Sequence, residues 1–402
     1  MTLHHPLEAA AVPDIIQTAA ASRTPLEIRG TGAKHALGRH APCPDLLDMS
    51  GFSGGLDYQP SELVFTADAG MALAAIEALL AQNRQMLAFE PPDWSDLLGA
   101  SSTGTLGGLV ATNLAGPRRV KSGAPRDHFL GFHGVNGRGE IFKAGGRVVK
   151  NVTGYDLAKV QAGAFGTLAV LTNITLKVVP VPETSVTLLL PGEEAVQASR
   201  TMSRAVNSPH EVSAAAHLPP CVAALASSLG SLSTSATLLR LEGHGPSVAF
   251  RVEALRQMLG AGEIVQEAES MALWRQIGSV QALLQKPDSL LWKLNPTPSA
   301  APALLAALTA RLPVMNAFLD WGGGLIWLEL DAATPDAGAV PLRAIMAASG
   351  GHAMLVRAPE TLRAEVAVFE PPERGVAVLS QRIKAAYDPD FVLNPGRMYP
   401  GG

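Results

Sequence analysis

Thr103-Gly104-Thr105-Leu106-Gly107-Gly108-Leu109-Val110-Ala111-Thr112-Asn113-Leu114-Ala115-Gly116 is the stretch whose reading decides the fold, and Ser122-Gly123-Ala124-Pro125-Arg126-Asp127 follows it closely. So many small residues cannot be filling a core, because they bury little apolar area and cost backbone entropy when ordered. They make sense where a flat ligand lies against the main chain. A flexible loop is the alternative, and it ranks lower because Thr, Asn, Arg and Asp are interleaved with the glycines where a linker would carry serine.

Working outward, Ile28-Arg29-Gly30-Thr31-Gly32-Ala33-Lys34-His35 reads as a strand running into a loop whose glycines leave backbone N–H groups free to face an anion. That fits a pyrophosphate, although a plain tight turn explains the same residues when the loop is taken alone. A βαβ dinucleotide fingerprint is the obvious competitor, with Asp48 near the place of a ribose-binding acid. The third glycine is missing, however, and Pro42 and Pro44 break the stretch that would have to be the pyrophosphate-bearing helix, so that reading is rejected. Downstream stand Val149-Lys150-Asn151-Val152-Thr153-Gly154-Tyr155-Asp156-Leu157 and Gly163-Ala164-Phe165-Gly166-Thr167-Leu168-Ala169-Val170. A strand that pauses at Gly-Thr and resumes as Leu-Ala-Val-Leu puts amides and a hydroxyl beside whatever the glycines approach; a β-bulge is its structural alternative.

These segments sit in a chain of 402 residues, too long for one ordinary core and suited to two domains. Residues 7 to 182 alternate short strands (Leu26 to Arg29, Glu62 to Phe65, Leu168 to Leu171) with a helix from Ala72 to Gln82. Val178-Val179-Pro180-Val181-Pro182 is extended because each proline excludes helix before it, and the domain boundary is placed there. Beyond Ser185, helical stretches such as Phe250 to Leu259 and Ala300 to Ala310 interleave with strands such as Leu325 to Leu330, which suggests helices against a mostly antiparallel sheet. Ala214 to Ser235 reads as a loop plus a small helix.

Composition narrows the function classes. Hydrophobic residues at 47%, charged residues at 16% and a formal charge of −4 describe a folded protein without attraction to nucleic acid. Cys43 and Cys221 are the only cysteines, so an iron–sulfur cluster, which needs about four thiolates, must belong to a partner. The N-terminus lacks a signal peptide's basic start and apolar run. The longest uncharged run, Val212 to Leu239, contains Pro219, Pro220 and many serines, where a span needs about 20 mostly apolar residues. A cytoplasmic protein with no transmembrane segment is expected.

Together, and in the same order over residues 7 to 182, the glycine-rich segments resemble the FAD-binding domain of the vanillyl-alcohol-oxidase and p-cresol-methylhydroxylase family. The resemblance implies an α+β protein: a two-subdomain FAD-binding domain over 1–182, a smaller α+β cap over 183–384 with a mostly antiparallel sheet, and a tail over 385–402 returning toward the flavin. It places the FAD diphosphate at Gly30, Thr31, Gly32, Ala33 and Lys34, and the isoalloxazine and ribityl portion against Gly104, Thr105, Gly107, Gly108, Ala111, Thr112 and Asn113. Gly116 and Asp127 complete the set, with Thr167 and Val170 flanking the cofactor. Lys150-Asn151-Val152-Thr153-Gly154-Tyr155-Asp156 and the tail from Tyr387 to Arg397 are similar to the FAD-linked oxidases of D-2-hydroxy acids. Asp320-Trp321-Gly322-Gly323-Gly324-Leu325-Ile326-Trp327-Leu328 and the closing Asn394-Pro395-Gly396-Arg397-Met398-Tyr399 are similar to the FAD-binding subunits of glycolate oxidases. This implies support for oxidation of glycolate to glyoxylate in a complex with a catalytic FAD subunit and an iron–sulfur subunit, any contact with the inner face of the cell membrane being made through those partners.

Oxidising a 2-hydroxy acid with flavin needs a base for the hydroxyl proton, a cation for the carboxylate and an α-hydrogen aimed at the flavin. Catalytic family members resemble one another in a His-x-Gly-Asp-Gly-Asn-x-His metal stretch that this sequence lacks, so no metal is expected. His352, five residues before Arg357, is a candidate base with Arg357 as a carboxylate clamp; a loop histidine and a strand-end arginine are the plainer alternative. Arg397 is placed near the flavin by resemblance to a basic residue at that motif position. Some family members attach FAD through a histidine in the first loop, but His35 is displaced past Ala33-Lys34, so non-covalent FAD is expected. Two other readings remain open: an independent D-2-hydroxy-acid dehydrogenase of the D-lactate type relying on His352 or another base, and a structural subunit that kept the fold without the cofactor.

Overall fold

Leu26-Glu27-Ile28-Arg29 forms the strand its composition predicts in the computed structural model, which describes residues 2–147, 154–229, 232–260 and 262–401. It edges a three-stranded parallel sheet, beside Asp45–Asp48 and then Thr2–His4. The helix Val12–Ser22 buries Val12, Ile16 and Ala19, one helical face, in a cluster with Leu26 and Leu47, and Pro13 sits in its first turn where a missing N–H costs nothing. Pro42 and Pro44 lie in irregular chain, without a helix between Arg29 and Asp45.

A five-stranded antiparallel sheet follows in the order Leu56–Gln59, Val64–Asp68, Ala169–Lys177, Phe129–Asn136 and Ile141–Gly145. The strand expected from Glu62 begins two residues later, because Pro60–Glu62 is a 3-10 turn ended by Leu63 in the left-handed region. The helix Leu73–Gln82 buries Leu73, Ile76 and Leu80 on one face. The glycine-rich stretch itself contains a helix, Leu106–Thr112, capped by the Thr105 hydroxyl, which accepts from the Gly108 N–H at 3.2 Å. Its Leu106, Leu109 and Val110 do enter the core, while its small residues stay on the other side. The extended segment after Val178 pairs Val179–Pro180 with Gln85–Met86.

Thr184–Pro191 then enters an eight-stranded antiparallel sheet, in the order Glu263–Val265, Thr184–Pro191, Ala236–Gly243, Ala214–Leu218, Val314–Asp320, Leu325–Leu330, Leu290–Asn295, His352–Arg357. One face carries the helices Ala195–Val206, Gly245–Leu259, Ala301–Arg311 and Ala339–Ser349 over Leu239, Trp292 and Leu328. The other packs Phe318, Trp327 and Val356 against Leu37, Trp94 and Leu114 of the N-terminal half. Ala214–Leu218, read from sequence within a loop, is a central buried strand: covered on both faces, it carries no polar alternation and too few branched residues to announce itself. The domain division we propose between 182 and 183 falls between the two-stranded ribbon and this sheet.

After the helix Arg374–Tyr387 the chain returns to the first sheet. Leu26 N–H donates to the Val392 carbonyl at 2.8 Å and Asn394 N–H to the Leu26 carbonyl at 3.0 Å, so the tail runs alongside Leu26–Arg29. The turn is held by a buried ion pair. Lys384 Nζ donates to Asp388 at 2.6 Å, to the Thr167 carbonyl at 2.7 Å and to the Leu393 carbonyl at 2.9 Å, while Asp388 also accepts from the Val392 and Leu393 amides. Replacing Lys384 by Met strands a fully buried carboxylate, and we expect it to lower stability by about 3–5 kcal/mol in a denaturant titration. A loss below about 1 kcal/mol would show that the clasp does not hold the tail.

Candidate functional site

The strand Leu26–Arg29 ends where two narrow clefts meet, sharing Ile28, Gly30, Thr105, Gly108, Ala111, Phe165 and Asn394. In the loop that follows, the amides of Thr31, Gly32, Ala33 and Lys34 find no acceptor among the described residues. Unpaired backbone donors are costly away from water unless a ligand takes them, and consecutive N–H groups of this kind form an anion cradle. Gly30 is required here by close approach: a Cβ would come 2.6 Å from the Thr105 hydroxyl, so only glycine lets the loop lie against the cap of the glycine-rich helix. Gly104, at φ +97, faces Lys34 Nζ in the same way.

Three side chains hold the loop in this shape. Arg397 donates to the carbonyls of Lys34 at 3.0 Å and His35 at 2.7 Å. Lys34 Nζ donates to the Thr103 carbonyl at 2.9 Å, tying the loop to the glycine-rich stretch. Asn394 accepts from the Ile28 N–H and donates to the Phe165 carbonyl, both at 2.8 Å, and so joins strand, tail and the Gly163–Thr167 turn in one side chain. The sequence reading quoted Asn394 in its motif without assigning it to the site. Its signal was the motif's position after Leu393, which only the return of the tail converts into proximity.

The first cleft is electropositive and the second carries no charged side chain. Arg29, Lys34, His35 and Arg397 line the first, with Glu27 as its one acid. Burial alone would raise the Glu27 carboxyl, but hydrogen bonds from His35 at 2.8 Å and Arg29 outweigh it and hold it at about 2. Burial pushes Lys34 down to about 8, against a small opposing pull from Asp93, and pushes Arg397 down to about 10. An anion arriving beside these groups would offset that desolvation. The arrangement suits a diphosphate with a flat ligand beyond it.

Of the residues assigned to the cofactor from sequence, Gly30, Thr31, Gly32, Ala33, Lys34, Gly104, Thr105, Gly108, Ala111 and Thr112 line the first cleft and Gly107 the second. Five lie elsewhere. Val170 points away from the cleft into the first sheet's core, since the strand's alternation gives Ala169 and Leu171 to the cleft instead. Thr167 borders a different, largely apolar cavity of about 630 Å³ with Leu168, Phe369, Phe391 and Tyr399. Asn113 caps the glycine-rich helix and accepts from the Arg126 N–H, and Asp127 accepts from the Ala124 N–H. Gly116 sits at the joint between the halves, where a Cβ would meet the Glu90 carbonyl at 2.4 Å and its own carbonyl accepts from Trp321 Nε1 at 3.1 Å. The motif residues 148–153 lie outside the described residues.

Arg397 lies in the cleft, but His352 and Arg357 stand at opposite ends of one strand, roughly 16 Å apart at strand rise. Arg357 spends its donors on Ser289 and the Leu283 carbonyl, and His352 is exposed. They do not assemble into a base and clamp. Among the described residues no group of three His, Cys, Asp or Glu is placed to hold a metal ion, and no helix is long and apolar enough to cross a membrane.

The joint carries a second charged cluster. Arg118 forms a bidentate pair with Glu242, and Arg240 with Glu90, linking the N-terminal half to the strand Ala236–Gly243. Burial would raise Glu242, but Arg240 and Arg118 hold it at about 2. Nearby, burial lifts Asp320 to about 7 and lowers Lys293 to about 8.

Comparison with known proteins agrees with this geometry. A family model described as an FAD binding domain matches residues 3–145, and the chain therefore carries that domain. The glycolate oxidase subunit GlcE of Escherichia coli (strain K12) is 33% identical over 387 residues, covering 96% of this chain and 95% of that one. The glycolate oxidase subunit GlcD of Bacillus subtilis (strain 168) is 28% identical over 297 residues, 73% of this chain and 57% of that longer one. Among solved structures, p-cresol methylhydroxylase with substrate bound superposes with a TM-score of 0.74 at 15% identity, covering 99% of this chain and 88% of that one, which establishes the α+β fold expected from the glycine-rich segments.

Because a diphosphate favours protonated Lys34, FAD affinity is expected to be highest below about pH 8 and to fall as pH rises through that value. Lys34→Met should weaken FAD binding by about 10–100-fold, the loss of one charge-assisted contact, and abolish that pH dependence. Fluorescence titration of the apoprotein between about pH 6.5 and 9.5 measures both effects, and an unaltered pH profile in the variant would rule out Lys34 as the titrating group.

Proposed function

The chain belongs to the family of the glycolate oxidase subunit GlcE, and from that premise we propose that it is the FAD-binding subunit of a glycolate oxidase complex, supporting oxidation of glycolate to glyoxylate. The observation that carries this reading is the loop Thr31–Lys34, whose unpaired amides lie beside the Lys34 ammonium and the Arg397 guanidinium in a cleft floored by glycine. Those residues would hold the diphosphate, and Gly104, Thr105, Gly107, Gly108, Ala111 and Thr112 would lie along the remainder of the cofactor. Bound FAD supplies the two-electron acceptor for the CH–OH carbon.

The chain's own residues favour holding the cofactor over working alone. Cys43 and Cys221 fall short of the about four thiolates of a cluster, so electrons would leave through an iron–sulfur partner. The separation of His352 from Arg357 leaves no assembled base and clamp at that strand, which favours a separate catalytic flavoprotein subunit over an independent D-lactate-type dehydrogenase. The complex is cytoplasmic in this reading, with any membrane contact made by its partners.

His35 Nδ1 is engaged by Glu27 and Arg29, consistent with FAD held without a covalent bond. The purified chain is therefore expected to be yellow, and acid precipitation to release the colour into the supernatant; a yellow pellet would contradict non-covalent binding, and a colourless protein the FAD-subunit assignment. Co-purification should recover a second flavoprotein and an iron–sulfur protein. Brisk glycolate-dependent dye reduction by the isolated chain would overturn the division of labour.

A further inference from the structure

Gln161 ends the short helix Leu157–Gln161 and is 3% exposed, yet its carboxamide nitrogen has no hydrogen-bond partner among the described residues. Of the buried side-chain nitrogens and oxygens in that state, it is the one that belongs to a residue of the two clefts, where Gln161 lines the second. The Tyr387 hydroxyl is near enough to act on the amide but is not placed to bond it. The backbone beside it is fixed. Gly163 N–H donates to the Val110 carbonyl at 3.0 Å and Phe165 N–H to the Ala111 carbonyl at 2.9 Å, which straps the turn after Gln161 to the glycine-rich helix. A buried amide left unpaired costs stability, and an acceptor brought into the second cleft would remove that cost.

The adenosine and ribityl-flavin arms of FAD leave the diphosphate from its two ends, so with the diphosphate at Thr31 to Lys34 one arm would enter the second cleft. Two observations favour the adenosine arm. The second cleft holds no charged side chain, whereas a flavin gathers negative charge when it is reduced and is tuned by charge placed beside it; adenine stays neutral throughout. Its walls also belong to the N-terminal half and the returning tail, with Met49 and Gly107 facing Ala169 and Leu171 of the five-stranded sheet. The first cleft leads toward the joint instead: Leu37 and Leu114, shortly beyond its Lys34 and Thr112, pack against the C-terminal sheet. The ring that exchanges electrons needs access from that side, and the ring that does not can be shut away from it.

We propose that Gln161 is a cofactor-binding residue whose carboxamide reads the edge of the FAD adenine in the second cleft. An amide meets adenine at two points, its N–H on a ring nitrogen and its oxygen on the exocyclic amino group. The Gln161 nitrogen, bonded to nothing else among the described residues, is free for that pairing. The proposal rests on FAD as the cofactor and adds which ring goes where. It also reverses the order that the resemblance implied at Gly107, which lines the second cleft and not the first.

Titration of the full chain, stripped of flavin, with FAD and separately with ADP tests the assignment, because ADP carries the adenine and the diphosphate without the flavin. ADP should bind and compete with FAD. Gln161→Met, which keeps the length of the side chain without its amide, should weaken both by the same factor of about ten, the loss of one or two neutral hydrogen bonds, and leave the visible spectrum of bound FAD unshifted. A loss for FAD with ADP unaffected, or a shifted flavin spectrum, would set the amide against the isoalloxazine and overturn the proposal. Unchanged affinity for both ligands overturns it as well, by making Gln161 a packing residue. The wild-type chain supplies a test that needs no variant: uptake of FAD without any competition from ADP removes the adenine seat and leaves the FAD reading standing, whereas a chain that takes up no FAD removes that reading first.

Discussion

Four consecutive amides, Thr31 to Lys34, are held without acceptors among the described residues along the first cleft, and much of the architecture follows from that constraint. Without such support a loop of this kind could close on itself or bind neighbouring carbonyls, because a donor unpaired away from water costs about as much as a lost hydrogen bond. Here Arg397 takes the loop's own carbonyls, Lys34 is anchored on Thr103, and Gly30 lies flat on Thr105. Arg397 belongs to the tail, which reaches the loop because Lys384 and Asp388 fix its turn and Asn394 fixes its register. The anion site is therefore assembled from chain segments at both ends of the sequence, and its integrity depends on a buried ion pair well outside it.

The joint between the halves follows a different logic. Glu90, Arg118, Arg240 and Glu242 are largely buried, and such pairs seldom add net stability over apolar replacements because desolvation offsets their attraction. What they do supply is register: bidentate geometry admits one relative placement of the strand Ala236–Gly243 and the segment after Gly116. Trp94, donating to the Gly278 carbonyl at 3.0 Å and meeting Trp327 edge-on, adds a second fixed point. Apolar packing alone tolerates sliding, whereas these contacts do not.

Local pattern was legible in the sequence wherever one residue type has one physical use. Glycine after the strand at Arg29 announced the loop, the prolines at 42 and 44 excluded a helix, and Leu73, Ile76 and Leu80 announced a helix by spacing. The glycine-rich stretch was only half legible: its small residues do face the cleft, but Leu106, Leu109 and Val110 use the same turns to enter the core, a division that only a helix makes. Val170 shows a limit of strand reading, since a one-residue phase decides which face a side chain takes and the motif does not state the phase. Ala214–Leu218 was illegible because a strand covered on both faces loses its alternation. Asn394 was visible as a motif letter but not as a site residue, because its partners lie far away in sequence.

Holding a redox cofactor and performing chemistry on a substrate make separate demands on a chain, and this molecule meets them unequally. The cofactor cleft draws on backbone amides, glycines and cations that are all held in place by other parts of the fold. Proton transfer, by contrast, needs a base within hydrogen-bond reach of the substrate. Two histidines of the C-terminal half are used otherwise: His217 is a core residue bonded to Thr237, and His352 is exposed at a strand end. A chain built this way fits the proposed division of labour, in which a partner supplies the base and this chain holds the flavin.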